Sequence, residues 1–118
     1  MRRVAALAAL MLSLSACSSN SPITSEEFSG DAVVIDVRTL EEYDAGHLDG
    51  ALHLDWNSGE FASGIAELDK DEQYLLYCRS GNRAGQAKAH MEEQGFTDVV
   101  NLGSLEEAAE ATGISIVK

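Results

Sequence analysis

The chain has 118 residues, a length suited to one domain. It carries 8 basic and 20 acidic residues, for a net charge of −12. Nothing in that balance would neutralise phosphates, which sets nucleic acid aside as a partner, and no basic face is present to bind a membrane surface.

The first segment, MRRVAALAALMLSLSAC, places Arg2 and Arg3 before an apolar run from Val4 to Leu14, and small residues follow. A basic start and an apolar stretch too short to span a bilayer mark a secretory leader. The ending Leu14-Ser15-Ala16-Cys17 resembles the lipobox of bacterial lipoproteins. That resemblance implies that residues 1–16 are a signal peptide and that Cys17 is lipidated. The protein would then be anchored in the cell envelope, in the periplasm or on the extracytoplasmic face, with the lipid as its only membrane contact. An ordinary secretory signal, with Cys17 a bystander, is the alternative. The arginine pair lacks the flanking pattern of a twin-arginine signal. Residues 17–22 read as the lipidated cysteine and a short flexible tether, and residues 23–118 as a domain with one modest core.

Apolar strands then alternate with helices. Ile23-Thr24 suggests an edge strand, and Ser25-Glu26-Glu27 a capped helix start with acids in its first turn. AVVIDV, 32–37, is a near-continuous β-branched run, the pattern of a strand buried on both faces. TLEEYDAG, 39–46, predicts a short helix closed by Gly46; ALHL, 51–54, a short strand; residues 57–67, a weak helix. QYLLYC, 73–78, is a second apolar strand. The helix predicted over 82–96 puts Ala84, Ala87 and Met91 on one face, ends at Gly95, and packs Phe96 back. DVVNL, 98–102, is a third buried strand; 104–113 is a helix capped by Ser104; ISIV, 114–117, suggests a last edge strand. The alternation predicts an α/β sandwich on a mostly parallel sheet. In such sheets ligands sit at the carboxyl ends of strands, and Cys78 stands at one.

Two cysteines in an exported chain first suggest a disulfide. Lipid on Cys17 would leave Cys78 the only thiol, and a lone thiol in an oxidising compartment is a liability unless it has a use. A small buried hydrophobe is the plainer reading of such a residue. Without residues 1–16 the cations are Arg38, Lys70, Arg79, Arg83, Lys88 and Lys118, and three of them fall in residues 73–91, which contain no Asp or Glu. The surroundings of Cys78 are therefore expected to be locally positive and to favour an anionic ligand or intermediate. A strand that turns within five residues into a helix can aim backbone N–H groups at one spot, with Gly81 supplying the unusual turn angles. The helix N-terminus, Arg79 and Arg83 are expected to lower the thiol's pKa and make it a nucleophile without a histidine base.

CRSGNRA, 78–84, resembles the active-site loop of the rhodanese family of sulfurtransferases. VVIDVRTLEEYDAGHLDGALHL resembles the family's upstream motif, an Asp-x-Arg followed by Glu-Tyr and a Gly-His-Ile/Leu segment. QYLLYCRSGNRAGQA and GFTDVVNLGS match the loop and the strand after it, so the likeness covers nearly all of residues 23–117. It implies the rhodanese-like three-layer sandwich, a mostly parallel central sheet flanked by helices. It also implies transfer of sulfane sulfur from a small anionic donor such as thiosulfate to a thiophilic acceptor, cyanide or a thiol, with a protein acceptor also compatible and no cofactor required. By that match Cys78 forms the persulfide. Arg79, Ser80, Gly81, Asn82 and Arg83 cradle the transferred sulfur, with Arg83 helping to hold the donor and Arg79 steering it. Asp36 and Arg38 form a supporting pair. His47 matches the Gly-His segment and reads as a structural histidine; with His53 it lacks the third ligand of a metal site, so no metal is expected. One departure is visible. Where the family places a second Gly and then a Trp, this chain has Gly103-Ser104-Leu105-Glu106-Glu107-Ala108, which bears on the pocket's rim.

Four residues separate Cys78 from Arg83, whereas cysteine phosphatases of related architecture use five, because phosphate needs a wider cradle than one sulfur atom. A redox thiol normally has a resolving cysteine, and none is present. The serious rival is a non-catalytic rhodanese-like binding module in the cell envelope, although the chain retains Cys78, Arg79 and Arg83.

Overall fold

The computed structural model describes residues 28–118. The expected leader, the Cys17 lipidation site and tether, the Ile23-Thr24 strand and the helix start at Ser25 lie outside the described residues. Among these residues the chain forms six strands and four α-helices, in the order β1 Val33–Asp36, α1 Leu40–Ala45, β2 His47–Leu48, β3 Leu52–His53, α2 Glu60–Gly64, β4 Tyr74–Cys78, α3 Asn82–Glu93, β5 Val99–Ser104, α4 Leu105–Thr112 and β6 Ile116–Val117. A 3-10 turn, Ile65–Glu67, continues α2.

Four strands form one sheet in the order β3-β1-β4-β5, every neighbouring pair parallel. Its interior strands are the apolar runs, as burial on both faces requires. The period of two sorts their side chains. Tyr74, Leu76 and Cys78 of β4 join Ile35 and Val37 in a core closed by Phe61, Ile65, Ala84, Ala87, Met91 and Phe96. Leu75 and Tyr77 point the other way, into a core with Val34, Leu48, Leu102 and Ala108. Helices α2 and α3 thus cover one face and α4 the other, giving the three-layer α/β sandwich expected of a rhodanese-like fold.

Two details differ from the sequence reading. The ISIV segment does not extend the main sheet; β6 pairs antiparallel with β2 in a separate two-stranded ribbon. At two residues each, these strands are too short to show a hydrophobic period. β5 also runs two residues beyond DVVNL, because a bulge shifts its register, with Leu76 opposite Asn101 but Tyr77 opposite Gly103.

Both helices that frame the carboxyl edge of the sheet begin with reciprocal caps, Thr39 with Glu42 on α1 and Ser104 with Glu107 on α4. Between them lies a buried ion pair. Asp36 is fully buried; its carboxylate accepts the Arg38 backbone N–H at 2.9 Å, Nε at 2.9 Å and Nη2 at 2.7 Å. Arg38 Nη2 also donates to the Gly46 carbonyl. Breaking a buried pair strands a charge away from water. Asp36→Asn should therefore cost about 3–5 kcal/mol of stability, measured by urea unfolding; a loss below about 1 kcal/mol would show that the pair carries no structural weight.

Candidate active site

Cys78 ends β4 with its side chain turned toward α3 and wholly buried. Asp36 ends the neighbouring β1, and the pairing of Cys78 with Ser104 brings the start of α4 to the same edge. From Cys78 the chain turns through Arg79 and Ser80 to Gly81, which caps α3 in the left-handed conformation at φ 95°. The Gly81 N–H donates to Cys78 Sγ at 2.9 Å. The twelve-residue α3 therefore opens directly over the sulfur, and its N-terminal dipole favours negative charge there.

Gly81 is also held from behind. Its carbonyl accepts Asn101 Nδ2 at 3.0 Å, while Asn101 Oδ1 accepts the Gly103 N–H at 2.9 Å. A Cβ on Gly81 would come within 3.3 Å of Gly103 Cα, so positive φ and close backbone approach both require glycine. Residues 79, 80 and 82 are exposed. Asn82 Oδ1 accepts from Gln86 Nε2 at 2.8 Å, and Ser80 Oγ takes the Asn82 N–H at 3.5 Å.

The charges differ from the expected positive patch. Arg83 makes a two-pronged pair with Glu42 of α1, Nη1 to Oε1 at 2.9 Å and Nη2 to Oε2 at 3.1 Å. The hydrogen bond from Arg83, with further bonds from Thr39, holds the Glu42 carboxyl well below its usual range, at about 2. The same bond raises Arg83. Lys88 pairs with Glu92 at 2.7 Å. Of the three cations in residues 73–91, only Arg79 has no ion-pair partner among the described residues. Arg38 loses by burial but gains more from Asp36, and its pKa is raised. Its guanidinium lies 5.4 Å from the Tyr77 ring centroid, and burial pushes the Tyr77 hydroxyl up.

His47 and His53 flank the Tyr43 ring, at 3.7 and 4.7 Å between centroids. His47 Nδ1 meets the Tyr43 carbonyl at 2.9 Å and His53 Nε2 the Arg38 carbonyl at 2.7 Å. Among the described residues, no group of three His, Cys, Asp or Glu side chains is placed to hold a metal. Glu42 and Asn101 were not singled out from the sequence, and Gly103 was noted only for the pocket's rim. The Thr39-x-x-Glu42 capping spacing and the lone polar residue inside DVVNL are the signals from which Glu42 and Asn101 could have been found.

A family model described as Rhodanese-like domain matches residues 24–111. Thiosulfate sulfurtransferase PspE of Escherichia coli (strain K12) is 36% identical over 75 residues, 64% of this chain and 72% of that protein. Thiosulfate sulfurtransferase GlpE of Pseudomonas entomophila (strain L48) is 41% identical over 71 residues, 60% of this chain and 63% of that protein, so the match spans less than two thirds of the Pseudomonas relative. A solved structure described as rhodanese with anions from E. coli superposes with a TM-score of 0.63 at 33% identity, over 74% of this chain and 98% of that one.

The depressed Glu42 pKa gives a stability term whose sign is fixed. It is present above the ordinary carboxyl value of 4.5 and is lost as pH falls through about 2. With both side chains partly exposed, screening reduces it to about 1 kcal/mol. Urea unfolding from pH 6 down to pH 2 should show the wild-type advantage over Glu42→Gln shrinking across that window; a pH-independent difference would separate Glu42 from it.

Proposed function

The chain belongs to the rhodanese-like family, and on that premise we propose that it is a thiosulfate sulfurtransferase that works through a Cys78 persulfide. The observation that carries this reading is the Gly81 N–H aimed at Cys78 Sγ from the start of α3. This N–H and the dipole of α3 stabilise a thiolate before reaction and a persulfide anion after it, and neither needs to reorganise.

In the first half-reaction the Cys78 thiolate attacks the sulfane sulfur of thiosulfate. The donor's S–S bond breaks, its electron pair leaves with sulfite, and Cys78 carries the persulfide. In the second, a thiophile attacks the outer sulfur; the new S–S bond breaks and its electron pair returns to Sγ. Cyanide suffices as an assay acceptor, and a small thiol or a protein thiol fits the same step. Electron pairs balance in both halves without a cofactor.

The roles of the loop follow. Arg79 is the cation free to meet the donor, Gly81 supplies the N–H, and Ser80 and Asn82 form the exposed rim. Arg83 acts through Glu42, fixing the start of α3 relative to α1, and Asp36 with Arg38 supports that edge from beneath. The leader-like residues 1–16 support export, so we place the reaction at the cell envelope with the domain tethered through Cys17.

Thiocyanate formation from thiosulfate and cyanide, with intact-mass detection of one added sulfur on Cys78, tests this reading. Cys78→Ser should lose both signals with the fold retained by circular dichroism. Gly81→Ala should slow turnover by about ten- to a hundredfold by displacing the donor. Wild-type protein that takes up no sulfur would instead favour a non-catalytic binding module, and full activity in Cys78→Ser would remove the mechanism.

A further inference from the structure

Beside the loop lies a cleft of about 380 Å³, lined by Arg38, Glu42, Ala45, Arg79, Leu105 and Glu106. That volume falls within the range of small-molecule pockets, ~300–1,000 Å³. It exceeds the needs of cyanide or of a single transferred sulfur atom. Four of its lining residues are charged, two of each sign. Arg38 is engaged by Asp36 and the Gly46 carbonyl, and Glu42 by Arg83 and Thr39. Arg79 and Glu106 are left exposed, and neither has an ion-pair partner among the described residues. Strand pairing puts them together: Cys78 registers with Ser104, so Arg79 follows one paired position by one residue and Glu106 the other by two. Leu105 supplies an apolar surface in the same cleft.

We propose that this cleft selects an amino-acid-type zwitterionic thiol as the sulfur acceptor, its carboxylate on Arg79 and its ammonium on Glu106. The inference rests on the persulfide reading above. A chain of net charge −12 repels acceptors with excess negative charge. As the thiolate that reacts, such an amino acid carries one net negative charge against two for a form without its ammonium, and it offers each unpaired side chain an opposite partner. Its thiolate attacks the outer sulfur of the Cys78 persulfide; the Cys78 S–S bond breaks, its electron pair returns to Sγ, and the amino acid leaves as a persulfide.

The test uses the full chain, loaded with thiosulfate, freed of donor, and followed by intact mass. Discharge rates are measured with L-cysteine, with its N-acetyl form and with its methyl ester at equal thiolate concentration, and cyanide serves as reference. L-Cysteine should discharge the persulfide about two- to fivefold faster than either blocked form, the effect of one exposed ion pair. On protein loaded to completion, Glu106→Gln should erase the gap to the N-acetyl form and keep the gap to the ester; Arg79→Gln, which should also load more slowly with the anionic donor, should erase the gap to the ester. Equal rates for all three thiols, or gaps that survive both substitutions, overturn the acceptor assignment while cyanide discharge upholds the persulfide. Absence of sulfur loading overturns both.

Discussion

The carboxyl edge of the sheet depends on the buried pair of Asp36 and Arg38. Taking two charges out of water costs several kcal/mol for each ion, by rough reckoning, and only close and complete hydrogen bonding offsets it. Here the carboxylate accepts backbone and guanidinium donors together, and the guanidinium reaches on to the Gly46 carbonyl. The chain leaving β1 must therefore make α1 within a few residues and come back to the same place. The Tyr77 ring lies beside the guanidinium, and its hydroxyl accepts the Leu48 N–H at 3.0 Å, so β4 and β2 are tied to the same point. With α1 fixed, Glu42 is delivered to Arg83, and α3 is held with its first turn over Cys78.

That chain of contacts changes the electrostatics of the site. Residues 73–91 contain no carboxylate, yet folding brings one from 41 positions away and neutralises Arg83. The charge of a segment is not the charge of its surroundings. What remains to hold an anionic sulfur is mainly the backbone of Gly81 and the dipole of α3, which no acidic side chain can pair away. Such donors suit a protein with a large excess of acid. They act at hydrogen-bond range, whereas the distant carboxylates are screened beyond a Debye length of about 8 Å at physiological salt.

The sequence was legible where a long period or a turn signal was present. The β-branched run of β1, the apolar run of β4, the Ala84-Ala87-Met91 face and the Ser104 cap all appear where they were expected. The thiol-bearing loop and its glycine were visible because a strand end, Gly81 and a helix start fall within a few residues. The β2–β6 ribbon was not, since two-residue strands carry no pattern. The β5 bulge was not, because a register shift depends on the partner strand. The Glu42–Arg83 pair was not visible: the helix predicted over 39–46 contains Glu42, but its bond to Arg83 needs the tertiary packing of α1 against the loop.

Burial of the thiol sets a last constraint. Cys78 has no exposed surface, so a sulfane sulfur must enter the loop to reach it. Gly81 cannot give way cheaply, because Gly103 is packed against it and Asn101 holds its carbonyl. Arg79, Ser80 and Asn82, in contrast, are exposed. Movement is therefore confined to the rim while the donor that faces Sγ stays in place. A pinned base with a free rim admits one sulfur atom to a prepared site and hinders larger reagents. That arrangement limits progressive oxidation of the thiolate, whose later steps are irreversible.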